Sequence, residues 1–274
     1  MLTLLLFVFS GTIIATMSQS VDSFSIASYA SLSSLAVYDF SSYIISIITV
    51  PQRSLVSISI PVLARAWKDK DYIAIKRIYT RSSLNLLMIS SFLFLLIWLN
   101  YENAIHLFNL NPIYEKGKWV VLILGLRYII DMGTGVNGQI ISTSNFWRFE
   151  FLCGVILLCL AIPLNIFLVK HIGIDGAALS NLIAYSVYNI IRLYFLWNKF
   201  GMQPFTMKTL NVCLHALTCY GVCWLLFHNM KGIPAMAARS ITFVLLFAGS
   251  AIYFNLTPDI APVWETIKKK LRIK

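Results

Sequence analysis

The chain is expected to be an all-α integral membrane protein, a bundle of about eight transmembrane helices. Of its 274 residues, 58% are hydrophobic and only 12% charged, with a mean hydropathy of +0.76. Soluble domains carry about 25% charged residues. Long apolar runs recur along the chain, each near the ~20 residues that a spanning helix needs. Lys and Arg concentrate in every second connection between those runs, the pattern of a chain that threads a bilayer back and forth.

The first run, 2–27, begins MLTLLLFVFSGTIIATMSQS, with no basic residue before its apolar stretch. It therefore lacks the charged start of a signal peptide. It reads as a chain that opens directly on a transmembrane helix, and an N-terminal portion missing ahead of it is expected. Thr12, Thr16, Gln19 and Ser23 follow the spacing of one helix face.

The second span, 35–62, carries Asp39, Ser42, Tyr43, Ser46, Thr49, Arg53 and Ser57. On a helical wheel these share an arc of roughly 120°. Pro51 removes a backbone hydrogen bond and should kink the span there. The connection 64–81 (ARAWKDKDYIAIKRIYTR) alternates apolar and charged positions. A short amphipathic helix on the membrane surface suits it, and a solvated loop suits it nearly as well. The third span is 82–99.

The fourth span, 119–142, holds the densest polar set of all. LGLRYIIDMGTGVNGQIIST (124–143) places Arg127, Asp131, Asn137 and four glycines inside an apolar run. Arg127, Asp131, Thr134, Gly138, Ser142 and Asn145 fall within an arc of roughly 80°. Arg127 and Asp131 stand at i, i+4, where an ion pair would lower the cost of burying both. Gly133, Gly135 and Gly138 permit bending or close packing.

The fifth span, 149–169, contains Pro163, and the sixth, 176–197, repeats the polar spacing with Asn181, Tyr185, Tyr188 and Arg192. The last two spans, 210–228 and 236–256, show no comparable stripe and are expected at the periphery. Polar faces on several helices at once point to a shared aqueous cavity, because buried polar groups are costly in lipid. Hydrogen bonding between helices is the plainer account of any single Ser or Thr.

Of the 22 basic residues, fifteen lie on the side of 64–81, 143–150, 192–208 and the C-terminal tail, and five on the other. Both termini are thus expected in the cytoplasm. The net charge of +11 is topological and favours anionic lipid headgroups; no nucleic acid is expected. The five cysteines form no CxxC pair, and the four histidines make no zinc-ligand spacing. No metal or other cofactor is expected. His106, His171 and His228 have no acidic partner at an activating spacing, so enzymatic chemistry is not expected either.

Three segments carry a family resemblance. VDSFSIASYASLSSLAVYDFSSYIISIITVPQRSLVSISIPVLARAW (21–67) resembles the start of the C-terminal half of polysaccharide exporters. GLRYIIDMGTGVNGQIISTSNFWR (125–148) resembles a helix in the middle of that half, and HIGIDGAALSNLIAYSVYNIIR (171–192) resembles a hairpin shared across the wider superfamily. The chain thus resembles the oligosaccharide flippases, the O-antigen and capsule transporters related to lipid II flippases and multidrug extruders. At Val21–Asp22–Ser23 that family often has an Asp followed by a basic residue, and here Ser23 stands instead.

The resemblance implies a two-lobed bundle, with 1–200 as the six-helix C-lobe and 201–274 as two peripheral helices and a basic cytoplasmic tail. It implies translocation of an undecaprenyl-pyrophosphate-linked oligosaccharide across the bacterial cytoplasmic membrane. A missing N-lobe or polysaccharide assembly proteins would be partners beside the membrane lipids. Arg53, Arg127 and Asp131 match positions lining the family's cavity; with Asp39, Asn137 and Arg192 they are the candidate substrate-cavity residues. The stripes hold two acids (Asp39, Asp131) and three bases (Arg53, Arg127, Arg192), which leans toward an anionic substrate. A cation-coupled multidrug extruder, whose acids should outnumber its bases, and an inactive truncated remnant are the alternatives.

Overall fold

The computed structural model describes residues 20–228, 230 and 232–260. Most of the first expected span, including Thr12, Thr16 and Gln19, and the basic tail from Lys268 onward lie outside the described residues. What is described is an up-and-down bundle of helices. Helix α1 covers 20–29, and α2 (Leu32–Ser46) runs through a 3₁₀ turn, Ile47–Thr49, into α3 (Val50–Lys68). Then come α4 (Tyr72–Leu107), a 3₁₀ segment Pro112–Gly117, α5 (Lys118–Gly133), α6 (Asn137–Ser142), α7 (Trp147–Ile172), α8 (Ile174–Phe200), α9 (Met207–Phe227) and α10 (Ile233–Tyr253).

Among the described residues, five segments are long and apolar enough to cross a membrane: Leu32–Lys68, Tyr72–Leu107, Trp147–Ile172, Met207–Phe227 and Ile233–Tyr253. Of the seven expected spans that follow the first, 119–142 and 176–197 are not among them. Helix α5 has only 16 residues before the chain breaks, and α8 spreads Asn181, Asn189, Arg192 and Lys199 among its apolar residues. The outer faces are apolar: Phe167, Ile190, Tyr194, Leu214, Leu225 and Leu245 are all exposed. Lipid accommodates such a surface; water does not.

Helix α4 is the central post. At 36 residues it is ~54 Å long, well beyond the ~30 Å hydrocarbon thickness. It packs against α3, α5, α9 and α10. Its buried Ser82, Ser83, Ser90 and Ser91 are small enough to let neighbours approach closely. The tightest pairing is α7 on α8. There Gly176 lies against the backbone of Leu168, where any Cβ would clash.

The expected surface helix or loop at 64–81 is neither. The segment is the end of α3, a tight turn at 69–71 and the start of α4. Asp71 caps α4 by accepting from Ala74 N at 2.9 Å, and Lys70 adopts φ +54° in the turn. Capping and turn geometry thus fold an alternating charge pattern into a helical hairpin.

The expected fourth span, 119–142, is not one continuous helix. It breaks at Thr134–Val136, where Gly135 takes φ +66°. Helix α4 satisfies the groups that the break frees. Ser83 Oγ donates to the Gly133 carbonyl at 2.5 Å, and Ser82 Oγ accepts from Val136 N at 3.3 Å. Such repair is what makes irregular backbone tolerable at depth. The second span stays helical but tightens into a 3₁₀ turn at Ile47–Thr49, just before Pro51, which sits at the start of α3.

A side chain at residue 135 would require a left-handed backbone and would meet Ser82 Oγ at 2.7 Å and Ser83 N at 2.9 Å. Gly135→Ala should therefore cost about 1–3 kcal/mol. Gly133→Ala meets only Leu87 Cδ1 at 3.3 Å and should cost clearly less. Apparent melting temperatures of the two purified variants in detergent check the order.

Candidate functional site

The helices line an open cavity of about 510 Å³ between α1, α2, α3, α5 and α8, with predominantly polar walls. Asp22 stands at one end of it, held by three donors from three helices. Tyr38 Oη of α2 donates at 2.7 Å, Asn165 Nδ2 of α7 at 2.6 Å and Asn181 Nδ2 of α8 at 2.5 Å. Asn165 donates also to Ser180 Oγ at 2.9 Å. Such a set suits an ionised carboxylate, which only accepts hydrogen bonds. Asp39 accepts from Ser23 Oγ at 3.3 Å.

Arg127 projects from α5 with its guanidinium 3.5 Å from the centre of the Tyr185 ring and 4.4 Å from that of Tyr128. Its Nε is enclosed and has no hydrogen-bond partner among the described residues. The expected ion pair with Asp131 does not form among the described residues. The guanidinium lies against the Tyr128 and Tyr185 rings instead, and a base placed four residues ahead of an acid is the less favourable order for a helical pair. Asp131 takes its hydrogen bond from Asn189 Nδ2 of α8, at 2.9 Å.

Below Asp131 lies a second polar cluster, buried between α5, α6, α7 and α8. Arg192 Nε donates to Glu150 Oε2 at 3.0 Å while its Nη2 donates to Glu150 Oε1 and contacts Tyr188 Oη. The fork-to-carboxylate geometry is the strong form of this pair. Tyr188 Oη also donates to Glu150 at 3.2 Å, and the Arg192 guanidinium lies 3.6 Å from the Tyr188 ring centre. Gly138 leaves room for the guanidinium: a Cβ there would meet Arg192 Nη2 at 2.8 Å.

Of the candidate residues, Asp39, Arg53, Arg127 and Asp131 line one cavity. Arg53 is exposed on its wall and forms no ion pair among the described residues. Asn137 and Arg192 do not line it; both belong to the buried cluster. Sequence reasoning missed Asp22, Glu150, Asn165 and Asn189 as site residues. A lone Arg deep in a helix implies a carboxylate nearby, a signal that could have directed attention to Glu150. Cavity charges also differ from the stripe count: three carboxylates (Asp22, Asp39, Asp131) face two guanidiniums (Arg53, Arg127). His106 does find an acid, Glu115 Oε1 at 3.4 Å, but the imidazole is 70% exposed and makes an ordinary surface pair.

Compared with known proteins, the chain matches no family model, no curated protein and no solved structure.

Removing one partner of the Glu150–Arg192 pair leaves a buried charge alone. Glu150→Ala should cost about 3–5 kcal/mol, and Glu150→Leu combined with Arg192→Met should recover most of that. Thermal unfolding of both variants checks this. A cysteine placed at Thr49 or Gln52, both on the cavity wall, should react with a water-soluble maleimide in native membranes of an otherwise cysteine-free chain. A cysteine at fully buried Ala184 should not.

Proposed function

We propose that this chain is one lobe of a membrane transporter that carries a lipid-linked oligosaccharide, of the undecaprenyl-pyrophosphate type, across a bacterial cytoplasmic membrane. Eight spans are assigned: 2–27, the continuous α2–α3, α4, α5 with α6, α7, α8, α9 and α10. The connections 69–71, 143–146 and 201–206, whose flanking helix ends carry Arg65, Lys68, Lys76, Arg77, Arg148, Lys199 and Lys208, then face the cytoplasm together with both termini. The observation that supports transport is a polar cavity walled by Asp39, Arg53, Arg127 and Asp131 inside a bundle whose outer faces are apolar.

In this reading the guanidiniums of Arg127 and Arg53, both lining the cavity, hold a diphosphate between them. Arg is suited to that task by its permanent charge and planar donor fork. Tyr43, Tyr128 and Tyr185 line the same cavity and present rings to the sugars, while the lipid tail stays in the bilayer. A second lobe, from the same protein or a separate chain, would close the cavity. The two lobes would rock about it to expose the substrate alternately to either leaflet.

The acidic majority in the cavity supports a second reading, a cation-coupled exporter of drugs. The two separate on Arg127. In cells whose surface glycan depends on this chain, Arg127→Ala should abolish glycan display while the protein still reaches the membrane. Normal display at normal abundance overturns the oligosaccharide reading, and drug sensitivity in cells lacking the chain would then support the exporter.

A further inference from the structure

Four side chains run in single file from the buried ion pair to the cavity, each donating to the next. Arg192 Nη1 donates to Asn137 Oδ1 at 3.4 Å, Asn137 Nδ2 to Asn189 Oδ1 at 3.0 Å, and Asn189 Nδ2 to Asp131 Oδ1 at 2.9 Å. A cation stands at one end and a carboxylate at the other. The direction of the chain is fixed by chemistry, because Arg only donates and a carboxylate only accepts. Both amides between them must therefore point the same way.

Asn189 is the junction. Its Nδ2 donates to Asp131 and to the Tyr185 carbonyl at 3.0 Å, and its Oδ1 accepts from Asn137 and from Thr134 Oγ1 at 3.0 Å. Every donor and acceptor of the amide is in use, and the residue is only 1% exposed. Thr134 and Asn137 flank the break between α5 and α6. Asn137 also accepts from Gly138 N at 2.6 Å at the start of α6. One side chain of α8 thus holds the cavity carboxylate on one side and both edges of the helix break on the other.

We propose that Asn189 is a positioning residue that couples the charge on Asp131 to the Glu150–Arg192 pair and to the seating of α6. Hydrogen bonds in a chain polarise one another in a low-dielectric interior. With Asp131 ionised, the chain is anchored at both ends. Neutralising Asp131, by a proton or a bound cation, weakens the last bond, and the loss passes through the two amides to Arg192. An event in the cavity is thereby read at the far end of α6, whatever substrate the cavity carries.

The test is a double-mutant cycle on the purified chain in detergent, with the isosteric substitutions Asp131→Asn and Glu150→Gln. With native Asn189, the melting-temperature shift of the double variant should differ from the sum of the single shifts by about 2–4 °C. With Asn189→Leu the shifts should become additive. Should Asn189→Leu not fold, Asn137→Ala cuts the same chain one link away and should have the same effect. Additive shifts with Asn189 and Asn137 intact overturn the proposal. So does a coupling that survives loss of the amide, which would mean that the charges act directly through space.

Discussion

Hydrocarbon supplies no hydrogen bonds, so every polar group held at depth must be satisfied by another part of the chain. That constraint organises this bundle. The break at Thr134–Val136 is tolerable because α4 places Ser82 and Ser83 beside it. Asp22 is tolerable because Tyr38, Asn165 and Asn181 converge on it from three helices. Arg192 is tolerable because Glu150 meets its fork across the α7–α8 seam. Each solution joins different helices, so the polar contacts help to set their register alongside apolar packing.

The polar groups divide into two systems of different character. Those around Glu150 and Arg192 are saturated and enclosed, and they act as a clasp between α6, α7 and α8. Those facing the cavity retain unused capacity: Arg127 keeps an unpaired Nε, and Arg53 stands exposed on the wall. The Tyr128 and Tyr185 rings hold the Arg127 guanidinium at the cavity wall. Asn189 belongs to both systems and is the point at which a change in one reaches the other. Glycine serves both systems, with Gly135 making the break and Gly138 giving the Arg192 guanidinium its seat.

Much of this was legible in the chain itself. The stripe on α2–α3 placed Asp39 and Arg53 on one face, the stripe on α5 placed Arg127 and Asp131 on another, and the structure brings those faces together around one cavity. Sequence reasoning counts Asn137 and Arg192 among the cavity residues because it takes a polar residue within a span to look inward to water, whereas neither lines the cavity. It pairs Arg127 with Asp131 by spacing alone, whereas the Arg127 guanidinium lies against the Tyr128 and Tyr185 rings. Asp22 and Asn165 drew no attention as site residues because each stands alone on its own helix.

Composition and basic-residue placement by themselves determined that this is a helical membrane protein, which helices are amphipathic and which faces of α2, α3 and α5 are polar. Those properties are local: they follow from the free energy of moving each residue type into lipid and from the 3.6-residue helical repeat. Only the tertiary structure decided which polar groups became cavity and which became clasp. A wheel gives the angle of a side chain about its own axis but not the neighbour across the interface. At Arg127 and Arg192, the same residue type on the polar faces of two helices, that neighbour is two tyrosine rings in one case and a carboxylate in the other.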